Sequence, residues 1–312
     1  WHPKCKPLVM KKTDVILLTE SCYENPTKID EYVQNVLTED GLVKKALERL
    51  GCSVEIIPWD KSYDWSSAYI AVFRTTWDYF HRFNEFSKWL TDVKTKITLI
   101  NSYDQILWNL DKHYLKVLQN RGVNVPISHF IKKNSTHSIR ELMEKNKWNK
   151  VVLKPTISGA ARHTFKIDVN SVAEYETQFS ELIQHEDFML QEFQENILTE
   201  GEISYMVFGG KFTHAIQKRA KDGDFRVQDD FGGSVHRYNP SAKEINFCET
   251  AVAAISPQPI YARVDVIWDN NKELAVSELE LIEPELWFRY QPDAADAMAK
   301  LICTRLDALK NI

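Results

Sequence analysis

The stretch Tyr261–Phe288, YARVDVIWDNNKELAVSELELIEPELWF, allows few folds. It reads as two strands and a turn. In the first strand, Tyr261 to Trp268, residues Tyr261, Arg263, Asp265 and Ile267 share one face, and Ala262, Val264, Val266 and Trp268 share the other. Asp269-Asn270-Asn271-Lys272 is turn chemistry. In the second strand, Leu274 to Ile282, Val276, Glu278 and Glu280 share a face. With a two-residue loop at Asn270-Asn271, Arg263 falls opposite Glu278 and Asp265 opposite Val276. Asp265 and Glu278 are then diagonal neighbours, roughly 7–8 Å apart at the backbone, with Glu280 beyond. A loop one residue longer sends Asp265 to the other face. Like charges gathered on one face need a cation between them, or their pKa values shift. Carboxylate oxygens with no His or Cys beside them suit a hard ion, Mg2+ or Mn2+. The competing reading is a solvated strand face with Arg263 as counter-ion.

The rest of the chain sets limits. Its 312 residues suffice for about two domains with a sizeable core. A net charge of −5 gives no reason to expect nucleic acid or an anionic membrane as partner. No apolar run approaches the roughly 18 residues of a membrane span. The cysteines Cys5, Cys22, Cys52, Cys248 and Cys303 are scattered, with no CxxC, so reduced thiols and a cytoplasmic location are expected. Trp1 to Val9 precedes Met10-Lys11-Lys12 and lacks the apolar core of a signal peptide.

Along the chain, strands at Asp14–Thr19, Ser53–Pro58, Ala68–Phe73 and Ile97–Ile100 alternate with helices at Leu37–Leu50 and Phe83–Val93. That alternation predicts an open parallel α/β sheet over residues 10–105. Arg74-Thr75-Thr76-Trp77-Asp78-Tyr79 follows the third strand. Open α/β sheets bind ligands off the carboxyl ends of their strands, so Arg74 is a candidate for a substrate carboxylate, with Trp77 and Tyr79 as walls. An ordinary turn with a surface Arg–Asp pair explains the same residues. Ser102 caps a helix from Tyr103 to Gln119 that includes Lys112. Ser138 to Glu141 has capping-box spacing. Lys150–Pro155 is a strand ending in Lys154, and the small residues after it, Ser158 and Gly159 among them, offer amides to phosphates. Phe188–Phe193 reads as a buried strand, Ile203–Phe208 with Phe212–Lys218 as a hairpin, and Asp293–Ile312 as a helix. Phe231-Gly232-Gly233-Ser234 reads as an anion nest or a hinge.

Taken together and in this order, these motifs resemble the ATP-grasp superfamily, in its glutathione-synthetase-like branch, over about Asn109 to Phe288. The resemblance implies an α/β fold: an N-terminal open parallel α/β domain (10–105), then a two-part ATP-grasp fold divided into a central subdomain (106–190) and a C-terminal subdomain with the metal site (191–312). It implies ATP and Mg2+ (or Mn2+) as cofactors. Lys112 and Lys154 match the two nucleotide lysines, Gln191-Glu192-Phe193 the hinge strand that pairs with the adenine edge, and Glu202 the acid on the ribose hydroxyls. Asp265, Glu278 and Glu280 match the metal carboxylates, with Glu278 bridging two ions. Arg226 sits where the family carries an arginine facing the γ-phosphate; Lys218 and Arg263 are neighbouring candidates. Gly233 and Ser234 join Arg74, Trp77 and Tyr79 on the substrate side. The series RTTWDY, Asn101, Asp111, Lys112, Tyr114 and Leu115 is similar to the O-ureido-serine cyclo-ligase of the cycloserine pathway. Two departures stand out: Ser-Gly-Ala-Ala after Lys154 where relatives are glycine-rich, and Glu285 where glutathione synthetases carry small hydroxyl residues.

The expected chemistry is ADP-forming. A small amino-acid-like carboxylate is activated as an acyl phosphate and attacked by an amine-type nucleophile, in a homodimer or homotetramer with no nucleic-acid or membrane partner. The alternatives are a phosphotransferase and a ligase acting on a peptide or protein carboxylate, since one fold hosts many activities.

Overall fold

The first strand forms because Val15, Ile16, Leu17 and Leu18 are an unbroken apolar run, which suits a strand covered on both faces. In the computed structural model, which describes residues 13–159, 162–221 and 233–311, all four are fully buried. Strands β1 (Thr13–Thr19), β2 (Val54–Pro58), β3 (Ala68–Thr75) and β4 (Thr98–Ile100) form a parallel sheet in the order β2-β1-β3-β4. The helices Glu31–Arg49 and Phe83–Val93 connect its strands. This is the open parallel α/β arrangement the alternation predicts.

Strands β5 (Ser128–Ile131), β6 (Lys150–Pro155), β7 (Phe165–Asp168) and β8 (Phe188–Glu192) make a second, antiparallel sheet in the order β5-β8-β6-β7. One face packs on the helices Ile139–Asn146 and Val172–Leu182, through Val151, Leu153, Leu142 and Phe179. The period of two then aims Val152 and Lys154 away from that core. The predicted capping box is present: Ser138 Oγ accepts from the Glu141 N–H, and the Glu141 carboxylate accepts from the Ser138 N–H. Ser138→Ala should cost about 1 kcal/mol, read as a melting temperature lower by a few degrees.

Strands β9 (Glu202–Phe208), β10 (Lys211–Arg219), β11 (Ser234–Tyr238), β12 (Tyr261–Trp268) and β13 (Leu274–Glu280) form the third sheet, ordered β11-β10-β9-β12-β13. Helix Ala242–Ala253 contributes the buried Cys248, Ala251 and Val252.

Two expectations change here. The predicted helix Tyr103–Gln119 is two helices, Tyr103–Leu110 and Tyr114–Asn120, and Lys112 lies in the break. The break is held because the Lys112 N–H donates to Thr156 O (2.9 Å), not to a carbonyl of its own helix. The chain also divides into two discontinuous units: residues up to Gln105 with Pro259–Tyr261 and Leu281–Ile312, and Ile106–Gln258 with Ala262–Glu280. The residues after Glu280 therefore return to the first unit, whereas a 191–312 subdomain would have kept them with the third sheet. Several contacts fix that return. Asn101 donates from Nδ2 to Tyr261 O (2.9 Å) and Leu281 O (2.8 Å), and its Oδ1 accepts from the Ile260 N–H (2.8 Å). The buried carboxylate of Glu39 accepts from the Phe288 and Arg289 amides at 2.8 and 2.9 Å. The last helix, Ala294–Lys310, packs beside Glu31–Arg49, with Cys303 Sγ 3.1 Å from Cys52 Sγ. Among the described residues, no helix is long and apolar enough to cross a membrane.

Candidate nucleotide site

The hairpin of β12 and β13 carries the site, and its register is not the predicted one. Trp268 pairs with Leu274, so the connection is longer than two residues; on that register alone Asp265 would leave the shared face. A β-bulge restores it. Val266 pairs with Val276 but Asp265 pairs with Glu278, which leaves Ser277 as the extra residue. Asp265 and Glu278 thus become direct cross-strand neighbours rather than diagonal ones, and Arg263 pairs with Glu280. The three carboxylates stand on one face.

Cations surround them. Arg263 places Nη2 2.8 Å from Asp265 Oδ2 and also pairs with Glu280. Lys218 Nζ, from β10, lies 2.7 Å from Glu202 Oε1 and 3.5 Å from Asp265 Oδ2. Lys218 and Glu202 face each other across β10 and β9. Gly201 makes this fit: at φ +72° it adopts a conformation few other residues take, and a Cβ there would collide with Lys218 O. Ser204 donates to Asp265, and Ser277 Oγ donates to Glu202 Oε2 at 2.7 Å. Lys112 Nζ lies 2.9 Å from Glu278 Oε1 and donates to Ser158 O at 3.0 Å. Lys154 has no carboxylate within ion-pairing distance among the described residues.

The electrostatics follow from this arrangement. Burial pushes the Asp265 carboxyl up, but Arg263 and Lys218 outweigh it and hold it at about 2. Burial also opposes ionisation of Glu278, yet Lys112 and Lys154 bring it below the usual carboxylate range. Glu280 is pushed up to about 7 by burial, against Arg263, with Asp265 and Glu278 adding to the rise. Burial lowers Lys154, with Glu278 pulling the other way and Lys112 adding to the drop.

These groups line a cavity of about 250 Å³ between the second and third sheets. Two strands cross it with the same polarity. On β6, Val152 is followed by Lys154; on β12, Ile267 is followed towards the chain's start by Asp265 and Arg263. One end of the cavity is apolar, completed by Phe193 and Ile197, and the other is charged. An elongated ligand with an aromatic head and an anionic tail fits that order.

The cavity brings together Lys112, Lys154, Ser158, Gly159, Gln191, Glu192, Phe193, Glu202, Lys218, Arg263, Asp265, Glu278 and Glu280. Three placements correct the sequence reading. Arg74 lies within β3, is 1% exposed, and pairs through Nε with Asp40 Oδ1 at 3.1 Å. It offers no surface to a substrate carboxylate, and the pair is not a surface one either: helix Glu31–Arg49 supplies the partner from above the sheet. Tyr79 is a core residue, its ring 4.7 Å from that of Phe86. Trp77 donates from Nε1 to Glu283 O (2.9 Å) and packs on Tyr23 and Tyr32, so it is partly spent on structure. Gly233 and Ser234 stand at the start of the edge strand β11. Arg226, Phe231 and Gly232 lie outside the described residues. Ser204, Ser277 and Gln194 are site residues that the sequence reading missed; a hydroxyl inside an apolar strand was the available signal for the first two.

Residues 124–279 match the family described as prokaryotic glutathione synthetase, ATP-grasp domain. The chain belongs to the ATP-grasp family. This ATP-grasp chain is an ATP-dependent ligase of the ADP-forming kind. Residues 15–101 match the N-terminal domain of D-cycloserine synthetase DcsG. The chain is 26% identical over 282 residues to the cycloserine biosynthesis protein DcsG of Streptomyces lavendulae, covering 84% of this chain and 92% of that one. The crystal structure of D-cycloserine synthetase DcsG superposes with a TM-score of 0.82 at 23% identity, over 94% of this chain and 99% of that one. The D-alanine–D-alanine ligase of Bacillus anthracis complexed with ATP gives 0.62 at 15% identity, over 96% and 99%. Both structures are similar to this ATP-grasp chain in fold.

Proposed function

We propose that the chain activates the carboxylate of a small amino-acid-like substrate as an acyl phosphate, which a nitrogen nucleophile then attacks. The observation that carries this is the polarity of the cavity: Lys112 and Lys154 at its charged end, and Val152, Ile267 and Phe193 at its apolar end. ATP lies base-first towards Ile267, with its triphosphate towards the lysines. Gln191, Glu192 and Phe193 line the end that takes the adenine, with the Glu192 and Phe193 N–H groups already given to Ile127 O and Lys150 O, and Glu202, already held by Lys218 and Ser277, lies within reach of the ribose.

A metal ion fits the donor set. As the side chains stand, no three of the described His, Cys, Asp and Glu residues converge on one ion. Asp265, Glu278 and Glu280 nonetheless present only hard oxygen donors on one cavity wall, the chemistry Mg2+ or Mn2+ selects. Bound there, the ion neutralises charge on the phosphate oxygens. The protein's own part is positioning and charge. Lys154, with no carboxylate at ion-pairing distance among the described residues, is available to a phosphate. Lys112 joins Glu278 to Ser158 O and so ties the phosphate loop to the carboxylates. Arg263 keeps Asp265 and Glu280 aligned. No covalent nucleophile is needed. A substrate carboxylate oxygen bonds to the γ-phosphorus as the bond to ADP breaks; the nitrogen then bonds to the acyl carbon as phosphate leaves. Because the chain resembles the DcsG proteins along most of its length, O-ureido-serine is the first substrate to try, with the nucleophile in the same molecule.

Hydroxylamine trapping tests the reaction class. With ATP, Mg2+ and an active carboxylate, an acyl phosphate yields a hydroxamate in proportion to the ADP released. Release of ADP with a stable phosphorylated product and no hydroxamate would assign a phosphotransferase instead.

A further inference from the structure

The turn that closes the β12–β13 hairpin is fastened to the strand end across the cavity. Asn270 donates from Nδ2 to Phe193 O (3.0 Å), and its Oδ1 accepts from the Glu195 N–H (2.9 Å). Its own N–H donates to Gln194 Oε1 (2.8 Å), while Gln194 Nε2 donates to Glu192 O (2.9 Å). One asparagine thus takes a carbonyl and an amide of Phe193–Glu195 in the manner of a neighbouring strand. Its neighbour Asp269 is bound as well. The Asp269 carbonyl accepts from Asn196 Nδ2 (2.6 Å), and its carboxylate accepts from Asn124 Nδ2 (3.0 Å) and from the Asn271 and Glu273 amides (both 2.9 Å). Turn residues are usually spent on their own turn. Here Asn270 spends its whole side chain on another element.

The hairpin carries the carboxylates, and the segment beginning at Gln191 faces the apolar end of the same cavity. The two elements therefore hold opposite ends of the elongated ligand. Strand β12 spaces Ile267, Asp265 and Arg263 at about 7 Å per step along one face. That spacing is useful only if the hinge stays at a fixed offset from Ile267. We propose that Asn270 is a positioning residue that sets this offset, and so fixes the distance from nucleobase to phosphate. The inference rests on the nucleotide reading of the cavity. It adds that base selection depends on a residue outside the cavity wall, through the backbone of Phe193–Glu195.

The test uses the full chain. Asn270→Ala should raise KM for ATP about ten-fold, the scale of one or two lost hydrogen bonds, with kcat at saturating ATP changed much less. The preference for ATP over GTP should narrow, and amide hydrogen exchange at residues 192–196 should speed up. Asn270→Asp keeps the acceptor for Glu195 and loses the donor to Phe193, so it should fall between wild type and Asn270→Ala; it also serves if the alanine variant folds poorly. Asn271→Ala, in the same turn, should behave as wild type. Should wild type bind ATP and Asn270→Ala bind it equally well with the same ATP/GTP ratio, the role of Asn270 is refuted while the nucleotide reading stands. Should wild type bind no ATP, both fail.

Discussion

Glu278→Gln should lower ADP release by about 10²–10³-fold without unfolding the chain. Glutamine keeps the shape of the side chain and removes its charge. Glu278 keeps part of its surface on the cavity, and its one described ion pair is with Lys112. The cation left behind, Lys112, is buried, but it keeps the Ser158 carbonyl as an acceptor, and the side-chain oxygen of the glutamine can replace the lost one. It does remove the carboxylate nearest both lysines, and with it the strongest candidate ligand for the ion that would face the phosphates. Asp265→Asn is a poorer probe. Asp265 is 2% exposed and compensates Arg263 and Lys218 together, so that variant would lose stability as well as activity. ADP release under saturating Mg2+ and ATP, with a melting curve beside it, separates the two effects. If Glu278→Gln released ADP at the wild-type rate, the carboxylates would be an ordinary ion-pair network and the metal assignment would fall.

The second large effect is on stability. Asp40→Ala should cost about 3–5 kcal/mol, because it leaves the Arg74 guanidinium buried without its partner. At about 2–4 °C per kcal/mol for a unit of this size, the melting temperature falls by about 10 °C. Asp40 also accepts from Thr75 Oγ1 at 3.0 Å, so two buried donors lose their acceptor. The double variant Asp40→Leu/Arg74→Met removes charge from both sides and should recover most of the loss. A calorimetric scan of the three proteins decides the matter. An Asp40→Ala protein that melts like wild type would mean that the pair is open to water, and Arg74 would return as a candidate substrate residue.

These two sites mark the limit of what the chain's residues disclose in one dimension. Tyr261–Trp268 was legible because alternation over eight residues has one simple solution. The bulge at Ser277 was not: an inserted residue leaves no periodic signal, and it is seen only when the pairing of Val266 with Val276 gives way to that of Asp265 with Glu278. Local pattern puts Arg74 one element too late, in a turn, because it cannot tell which helix will cover a strand end. Local pattern puts Lys112 on a helix because the carbonyl that breaks that helix, Thr156 O, comes from a distant loop. Asp265, Glu278, Glu280 and Lys154 can be named from their settings, whereas Lys112, Glu202 and Lys218 are named only by the family resemblance. Their convergence on one cavity is a property of two sheets, and Asn270, read as turn chemistry, gave no hint of its second partner.

The division of the chain also bears on the order in which it is made. The unit built around β1 to β4 includes Leu281–Ile312, and Asn101 and Glu39 have as partners residues synthesised far later. During translation at about 5–20 residues per second, roughly 200 further residues follow Gln105, a wait of about 10–40 s. Through that interval the first sheet has emerged while the helix Ala294–Lys310 has not. The unit that carries the cavity comprises Ile106–Gln258 and Ala262–Glu280, so all of its residues are made before that helix. The unit whose strands β1 to β4 are made early is completed only when Leu281 to Lys310 have followed.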